Sequence, residues 1–219
     1  MEELYKKTLD RLKAELKKQL PEIEANGDWL WHHPEAGFKE TETQKYCLEV
    51  LKNHGFEACT WPDVTGFTCT YDTGRPGPCV MIMGEMDSLI CYSHPDCNPE
   101  TGAAHACGHS IQVATAMGAF ITLTESGVLE NFGGKVMLAG VPAEECLEIE
   151  WRTREIQKGR LHYLCGKAEL LYRGAFDGVD IVISMHAGLG NDGTITILGS
   201  HNGFISKNVT FQGRSAHAA

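Results

Sequence analysis

Three short apolar runs in this chain each end in side chains that bind protons or metal ions. Lys135-Val-Met-Leu-Ala139 leads into Gly140-Val-Pro-Ala-Glu-Glu-Cys146, Val80-Met-Ile-Met-Gly84 into Glu85-Met-Asp87, and Asp180-Ile-Val-Ile-Ser-Met185 into His186. Runs this short and this apolar read as strands buried on both faces, the kind found in the middle of α/β sheets. In open α/β sheets the functional rim lies at the carboxyl ends of the strands. Three strand ends bearing Glu, Asp and His therefore point to one shared site. A fourth segment, His105-Ala-Cys-Gly-His-Ser110, sets Cys107 and His109 two residues apart, so their side chains point the same way in extended backbone. Thiolate, imidazole and carboxylate together make a plausible metal-ligand set.

The rest of the chain supplies helices between these strands. Leu4, Leu9, Leu12, Leu16 and Leu20 recur at helical spacing, and Pro21 is expected to end that helix. A second helix is expected from Pro21 to His32 and a third from Glu40 to His54, stopped by Gly55. Phe56–Thr60 and Gly66–Tyr71 read as strands, 110–126 as a helix, and Glu145–Gly159 and Lys167–Tyr172 as helices. Leu89–Ala104, with two prolines and a glycine, reads as a long loop. Gly193–Leu198 and Phe204–Gln212 alternate as exposed-face strands do. Helices alternating with apolar strands predict a three-layer αβα sandwich with a mixed, mainly parallel sheet.

Bulk properties narrow the function. A net charge of −10 over 219 residues argues against a nucleic-acid binder. No apolar run is long enough to span a membrane. Nine cysteines, an odd number with several inside apolar runs, read as free thiols in a reducing cytoplasm.

Each candidate residue has an ordinary reading beside the chemical one. Cys-x-His alone is more often a buried thiol beside a hydrogen-bonded imidazole. Glu144 and Glu145 alone suit a solvated loop or a helix start. After a buried strand, adjacent acids can instead divide labour, one on a metal and the other on an attacking water. Asp87 is the candidate to orient a ligating His through its second ring nitrogen. Glu85 reads as pocket wall or ligand.

Taken in order, His33-Pro-Glu-Ala-Gly-Phe-Lys-Glu40, Gly84-Glu-Met-Asp-Ser-Leu89, His105-Ala-Cys-Gly-His109, Pro142-Ala-Glu-Glu145, His186 and Gly213-Arg-Ser-Ala-His-Ala218 form a series. The series resembles the aminoacylase/carboxypeptidase family of two-metal metallopeptidases, in the amidohydrolase branch with its His-Ala-Cys-Gly-His motif. The resemblance implies hydrolysis of an amide in an N-acyl amino acid, small peptide or related conjugate. It implies two divalent metal ions held by Cys107, His109, Glu145 and His186, with Glu144 as general base and acid. Zn and Mn come first, with Co and Ni also suited to the donors. His217 would help hold the oxyanion from a lid domain that typically reaches the partner subunit of a homodimer. The expected layout is a catalytic domain over 1–203 and the first strand of a lid or dimerisation domain over 204–219. Family members are longer and return to the catalytic domain with a last His ligand, so the resemblance implies an N-terminal portion, dimeric or aggregation-prone alone. Ser110 stands where the family usually has Asp. A metal-binding but inactive module is the alternative to a hydrolase, and a thiol hydrolase using Cys107 is a third, poorer reading, since it leaves the acid pair without a role.

Overall fold

The structure, a computed structural model, describes residues 2–188 and, beyond them, 195, 205, 207, 209 and 211–216. Met1–Ala187 forms one compact unit and Gly188–Ala219 a second. The expected boundary at 203/204 and, apart from residue 195, the strand over 193–198 lie outside the described residues, as do four of the nine residues of the strand expected over 204–212.

Five strands form one sheet in the order β1 (Ala58–Thr60), β2 (Phe67–Asp72), β6 (Lys135–Val141), β3 (Cys79–Glu85), β7 (Ile181–Ser184). β1 and β2 run antiparallel to their neighbours, while β6, β3 and β7 are mutually parallel. The three apolar runs singled out in the sequence are those three parallel strands, so their carboxyl ends share one rim. Alternate residues feed two cores. Phe67, Cys69 and Leu138 pack with Val113, Met117 and Phe120 on one face, and Met81, Met83, Ala139 and Val141 pack with Leu170 and Ala175 on the other. α3 (His109–Glu125) lies close under β3, where Gly84 leaves room for Val113 and Ala116. α5 (Gly166–Tyr172) contributes Leu170 to the opposite core. This is the expected three-layer arrangement. Between β3 and α3, the long loop closes on itself through a short antiparallel pair, β4 (Leu89–Ile90) with β5 (Ala103–Ala104).

Three local expectations are corrected. α1 runs unbroken from Glu2 to His32 with Pro21 inside it. Pro21 and Lys17, whose carbonyl loses its amide partner, both face solvent, so water can satisfy the carbonyl. The buried face of α1 continues past the proline as Glu15, Gln19, Asn26 and Leu30. That face packs on α3, where Ile23 lies against Gly118 and Gly27 against Ala114. Leu4, Leu16 and Leu20 consequently face outward. The polar residues turned inward are satisfied: Gln19 donates to Glu15 (3.1 Å) and Glu125 (2.9 Å), and Asn26 accepts from the Tyr46 hydroxyl (2.7 Å). Secondly, the helix expected from Glu145 begins only at Ile149 (α4, Ile149–Gln157), because Glu148 sits at φ 50° and breaks the preceding turn. Thirdly, β7 is not buried. Ile181, Val182 and Ile183 are 50%, 45% and 54% exposed, since β7 is the edge of the sheet among the described residues.

Candidate metal centre

Four segments converge at the carboxyl rim of β3, β6 and β7. Asp87 follows β3 directly. Gly108, at φ 87°, turns the chain into α3 and brings His109 to the helix start. His109 is fully buried. Its Nδ1 lies 2.9 Å from the Asp87 backbone carbonyl and 3.3 Å from Asp87 Oδ1. A proton on Nδ1 is held there, and the lone pair of Nε2 then points the other way. Nε2 has no hydrogen-bond partner, yet Glu85 Oε2 is 3.2 Å away and Glu144 Oε2 3.9 Å away. A lone pair turned toward two carboxylates is repulsive unless a proton or a metal cation lies between them.

The second cluster shares His109. Cys107 Sγ is 3.6 Å from His186 Nε2, and the rings of His109 and His186 meet edge-on with centroids 5.4 Å apart. Cys107, His109 and His186 each offer a donor atom, all within 4.8 Å of one another; so do Glu85, His109 and Glu144. Glu145 belongs to neither of these donor groups. Glu145 is tied to the β3 end by its backbone N–H, which donates to Asp87 Oδ2 at 2.9 Å. Cys107, His109, Glu144, Glu145, His186 and Asp87 therefore come together, and His217 lies outside the described residues.

The titration behaviour of this cluster follows from its excess of carboxylates. Burial disfavours the imidazolium of His109, but the Asp87 hydrogen bond and the charges of Asp87 and Glu85 outweigh it, pushing His109 up to about 9. Burial and the charges of Glu145, Glu144 and Glu85 push the Cys107 thiol up to about 12. A nucleophilic thiol needs the opposite shift, which removes the ground for a thiol hydrolase. The donor set, the orphaned Nε2 and this demand for positive charge all fit a divalent cation.

Sequence reasoning missed several residues that hold the site. Lys167, at the start of α5, forms an ion pair with Glu85 and lies 3.5 Å from Glu144. A lysine within a helical pattern gives no hint of that. Gln112 of α3 accepts from the Glu85 N–H (3.1 Å) and donates to Ser184 (3.1 Å), joining the ends of β3 and β7. The acids of His33–Glu40 brace the fold. Glu35 accepts from the amides of Glu42 (3.2 Å) and Thr43 (2.8 Å), capping α2 (Thr41–Asn53). Glu40, fully buried, accepts from the Ala143 N–H at 2.7 Å and from Thr65 at 2.5 Å. Ala143 sits at φ 49°, a left-handed conformation that costs a non-glycine residue roughly 1–2 kcal/mol. That turn swings Glu144 and Glu145 out of the β6 direction, and Glu40 together with the Gly166 amide on the Ala143 carbonyl (2.9 Å) holds it. Ser110 is buried with its hydroxyl unpartnered.

An αβα sandwich with Cys, His and Glu gathered at the carboxyl ends of adjacent parallel strands has the build of a metallohydrolase catalytic domain. No protein-family model matches the chain. It is 27% identical over 213 residues to the N-acetyl-L-cysteine deacetylase of Bacillus subtilis, covering 93% of this chain and 45% of that protein. It is 30% identical over 168 residues to the indole-3-acetyl-aspartic acid hydrolase of Enterobacter agglomerans, covering 70% of this chain and 34% of that protein. Its fold matches the crystal structure of a dinuclear metal-binding peptidase of the M20 family from Bacillus subtilis, with a TM-score of 0.61 and 24% identity over 80% of this chain and 44% of that one. The chain thus spans less than half the length of the relatives it matches. By sequence and by fold it is homologous to the N-terminal part of the aminoacylase/carboxypeptidase family of two-metal metallopeptidases, in the amidohydrolase branch.

Proposed function

We propose that this chain carries the metal centre and general base of an amide hydrolase acting on N-acyl amino acids, small peptides or related conjugates. The observation that carries the reading is the shared His109: one buried imidazole completes a Cys107/His186 cluster on one side and meets Glu85 and Glu144 on the other. Two adjoining donor groups suit two divalent cations, zinc or manganese by donor type. Cys107, His109 and His186, with Glu145 on the resemblance alone, are the proposed ligands. A bound divalent cation supplies Lewis acidity, polarising the amide carbonyl and acidifying water.

The chain's own residues do the rest. Asp87 fixes the His109 ring, its backbone carbonyl accepting from the Nδ1 proton. Glu144 is the proposed general base and acid. Burial and the neighbouring Glu85 charge raise its pKa, Lys167 opposes them, and Glu145 adds to the rise. A carboxylate raised in this way takes a proton from water more readily and can return it to the leaving amine. The oxyanion role of His217, the domain division at 203/204, the homodimer and the cytoplasmic setting rest on the resemblance and on nine free cysteines. A second reading, metal binding without turnover, is favoured by Ser110, which places a hydroxyl where the family has a carboxylate.

Metal analysis of the purified chain, beside hydrolysis of N-acyl amino acids, tests both readings. Glu144→Gln is expected to retain metal and lose roughly 10²- to 10⁴-fold in turnover. Metal without turnover in the unsubstituted chain selects the second reading. Metal affinity unchanged by Cys107→Ser and by His109→Ala rejects both.

A further inference from the structure

The two donor groups are unlike each other. Cys107, His186 and His109 offer sulfur and nitrogen, whereas Glu85 and Glu144 offer oxygen and share His109 with the first group. His109 cannot serve both at once. Its Nδ1 is committed to the Asp87 carbonyl at 2.9 Å, which leaves a single lone pair, on Nε2. Sulfur and nitrogen donors suit the softer and more tightly held divalent ions such as zinc, so that lone pair goes with Cys107 and His186. The second group then rests on carboxylate oxygens, which suit a harder ion such as manganese.

Lys167 stands among those oxygens. It forms an ion pair with Glu85 through Oε1, and its Nζ lies 3.5 Å from Glu144 Oε1. The other oxygen of each acid faces the imidazole: Glu85 Oε2 is 3.2 Å and Glu144 Oε2 3.9 Å from His109 Nε2. Each carboxylate is thus divided between a fixed ammonium and the His109 side. A lysine beside two acids is often no more than surface neutralisation. Here Glu85 is buried, and its amide is held by the Gln112 side chain at 3.1 Å, so the pair is built into the rim. The ammonium cancels one of the two carboxylate charges and repels any further cation brought to the Oε2 atoms. We infer that Lys167 keeps the carboxylate group a weak, exchangeable cation site, so that one divalent ion is held tightly through Cys107, His109 and His186 and a second, harder one loosely through Glu85 and Glu144. A loose hold also keeps Glu144 available as the base, a task a tightly ligated carboxylate cannot perform. Lys167 has this part only within the metal centre proposed above.

Cobalt(II) and manganese(II), added to the full chain, are the probes. Cobalt at Cys107 gives a thiolate charge-transfer band, which also reports that a variant is folded. Manganese is added to the chain loaded with one zinc and followed by loss of the free-ion paramagnetic resonance signal. The unsubstituted chain is expected to show the band with one cobalt bound, and to bind manganese at least about tenfold more weakly than zinc. Lys167→Met should tighten manganese about 10- to 100-fold, the scale on which groups around metal ligands alter affinity, with the cobalt band unchanged. Lys167→Gln, a second neutral variant, should do the same, and Lys167→Arg, which keeps the charge, should match the unsubstituted chain. Manganese affinity unchanged or weakened in the neutral variants, beside an intact cobalt band, overturns the role of Lys167 and leaves the centre standing. So does an unsubstituted chain that holds both ions equally tightly, or an arginine variant that behaves like the methionine one. Absence of the thiolate band from the unsubstituted chain defeats the metal centre itself, and the part of Lys167 with it.

Discussion

Replacing Glu40 with glutamine should make the protein more stable at alkaline pH and flatten its pH dependence. Glu40 is fully buried, and burial together with the charge of Asp87 pushes its carboxyl up to about 8 against the hydrogen bonds from Thr65 and Ala143. The unfolded chain releases this proton near 4.5, the ordinary value. Folding therefore takes up a proton between those limits. The stabilisation from that proton is complete below about 4.5 and is lost as pH rises through about 8. At about 1.4 kcal/mol per pH unit, the loss approaches roughly 4 to 5 kcal/mol. Glutamine has nearly the same shape and keeps an oxygen for the Ala143 amide. The Thr65 hydroxyl can rotate to accept from the new amide. Urea unfolding followed by tryptophan fluorescence, in chelator at pH 5 and pH 8.5, gives the two curves. Glu40→Gln should gain about 4 kcal/mol on the wild type between those pH values. His109 and His54 titrate in both proteins and cancel in the difference. Parallel pH curves for the two proteins would refute the reasoning, as they would mean Glu40 is already ionised in the folded state.

Two further predictions concern packing and charge away from the rim. His54 joins three helices, with Nδ1 2.5 Å from Glu125 and Nε2 3.0 Å from Glu22. Burial lowers its pKa, but the two glutamates outweigh burial and raise it. Its contribution is present below the unfolded value near 6.5 and lost as pH rises through the raised folded value. The wild type should therefore lose roughly 0.5–1 kcal/mol relative to His54→Gln between pH 6 and pH 9, less in high salt, by urea titration. Gly140 faces Phe67 across the β2–β6 pair, and its missing Cβ is the space the ring fills. Gly140→Ala should cost about 1–3 kcal/mol by overpacking, read as a lower thermal midpoint with little change in secondary structure.

The parts of the fold legible in the sequence were those set by continuous apolar runs. β3, β6 and β7 and the groups at their ends are local features, so their convergence followed from the rule for parallel sheets. What the sequence concealed depends on partners distant along the chain. Pro21 reads as a helix end on propensity alone, whereas the contact with α3 fixes the inward face of α1 on both sides of it. The leucines at helical spacing do not form the packed face; Gly118 and Ala114 admit Ile23 and Gly27 instead. Lys167, Gln112 and Glu40 act on groups 82, 27 and 103 positions away, and nothing in their own neighbourhoods signals it. β7 read as buried because its composition matches that of β3, although only one of its two edges is paired among the described residues.

That last difference has a practical side. Among the described residues, one side of β7 is a ladder of amides and carbonyls beside aliphatic side chains open to water. Such a border recruits any extended polypeptide that can zip onto it. Expression yield and shelf life of this polypeptide should thus depend on whether something occupies that border, and a lysine placed at Val182 would be the simplest way to discourage self-recruitment while leaving the rim chemistry in place.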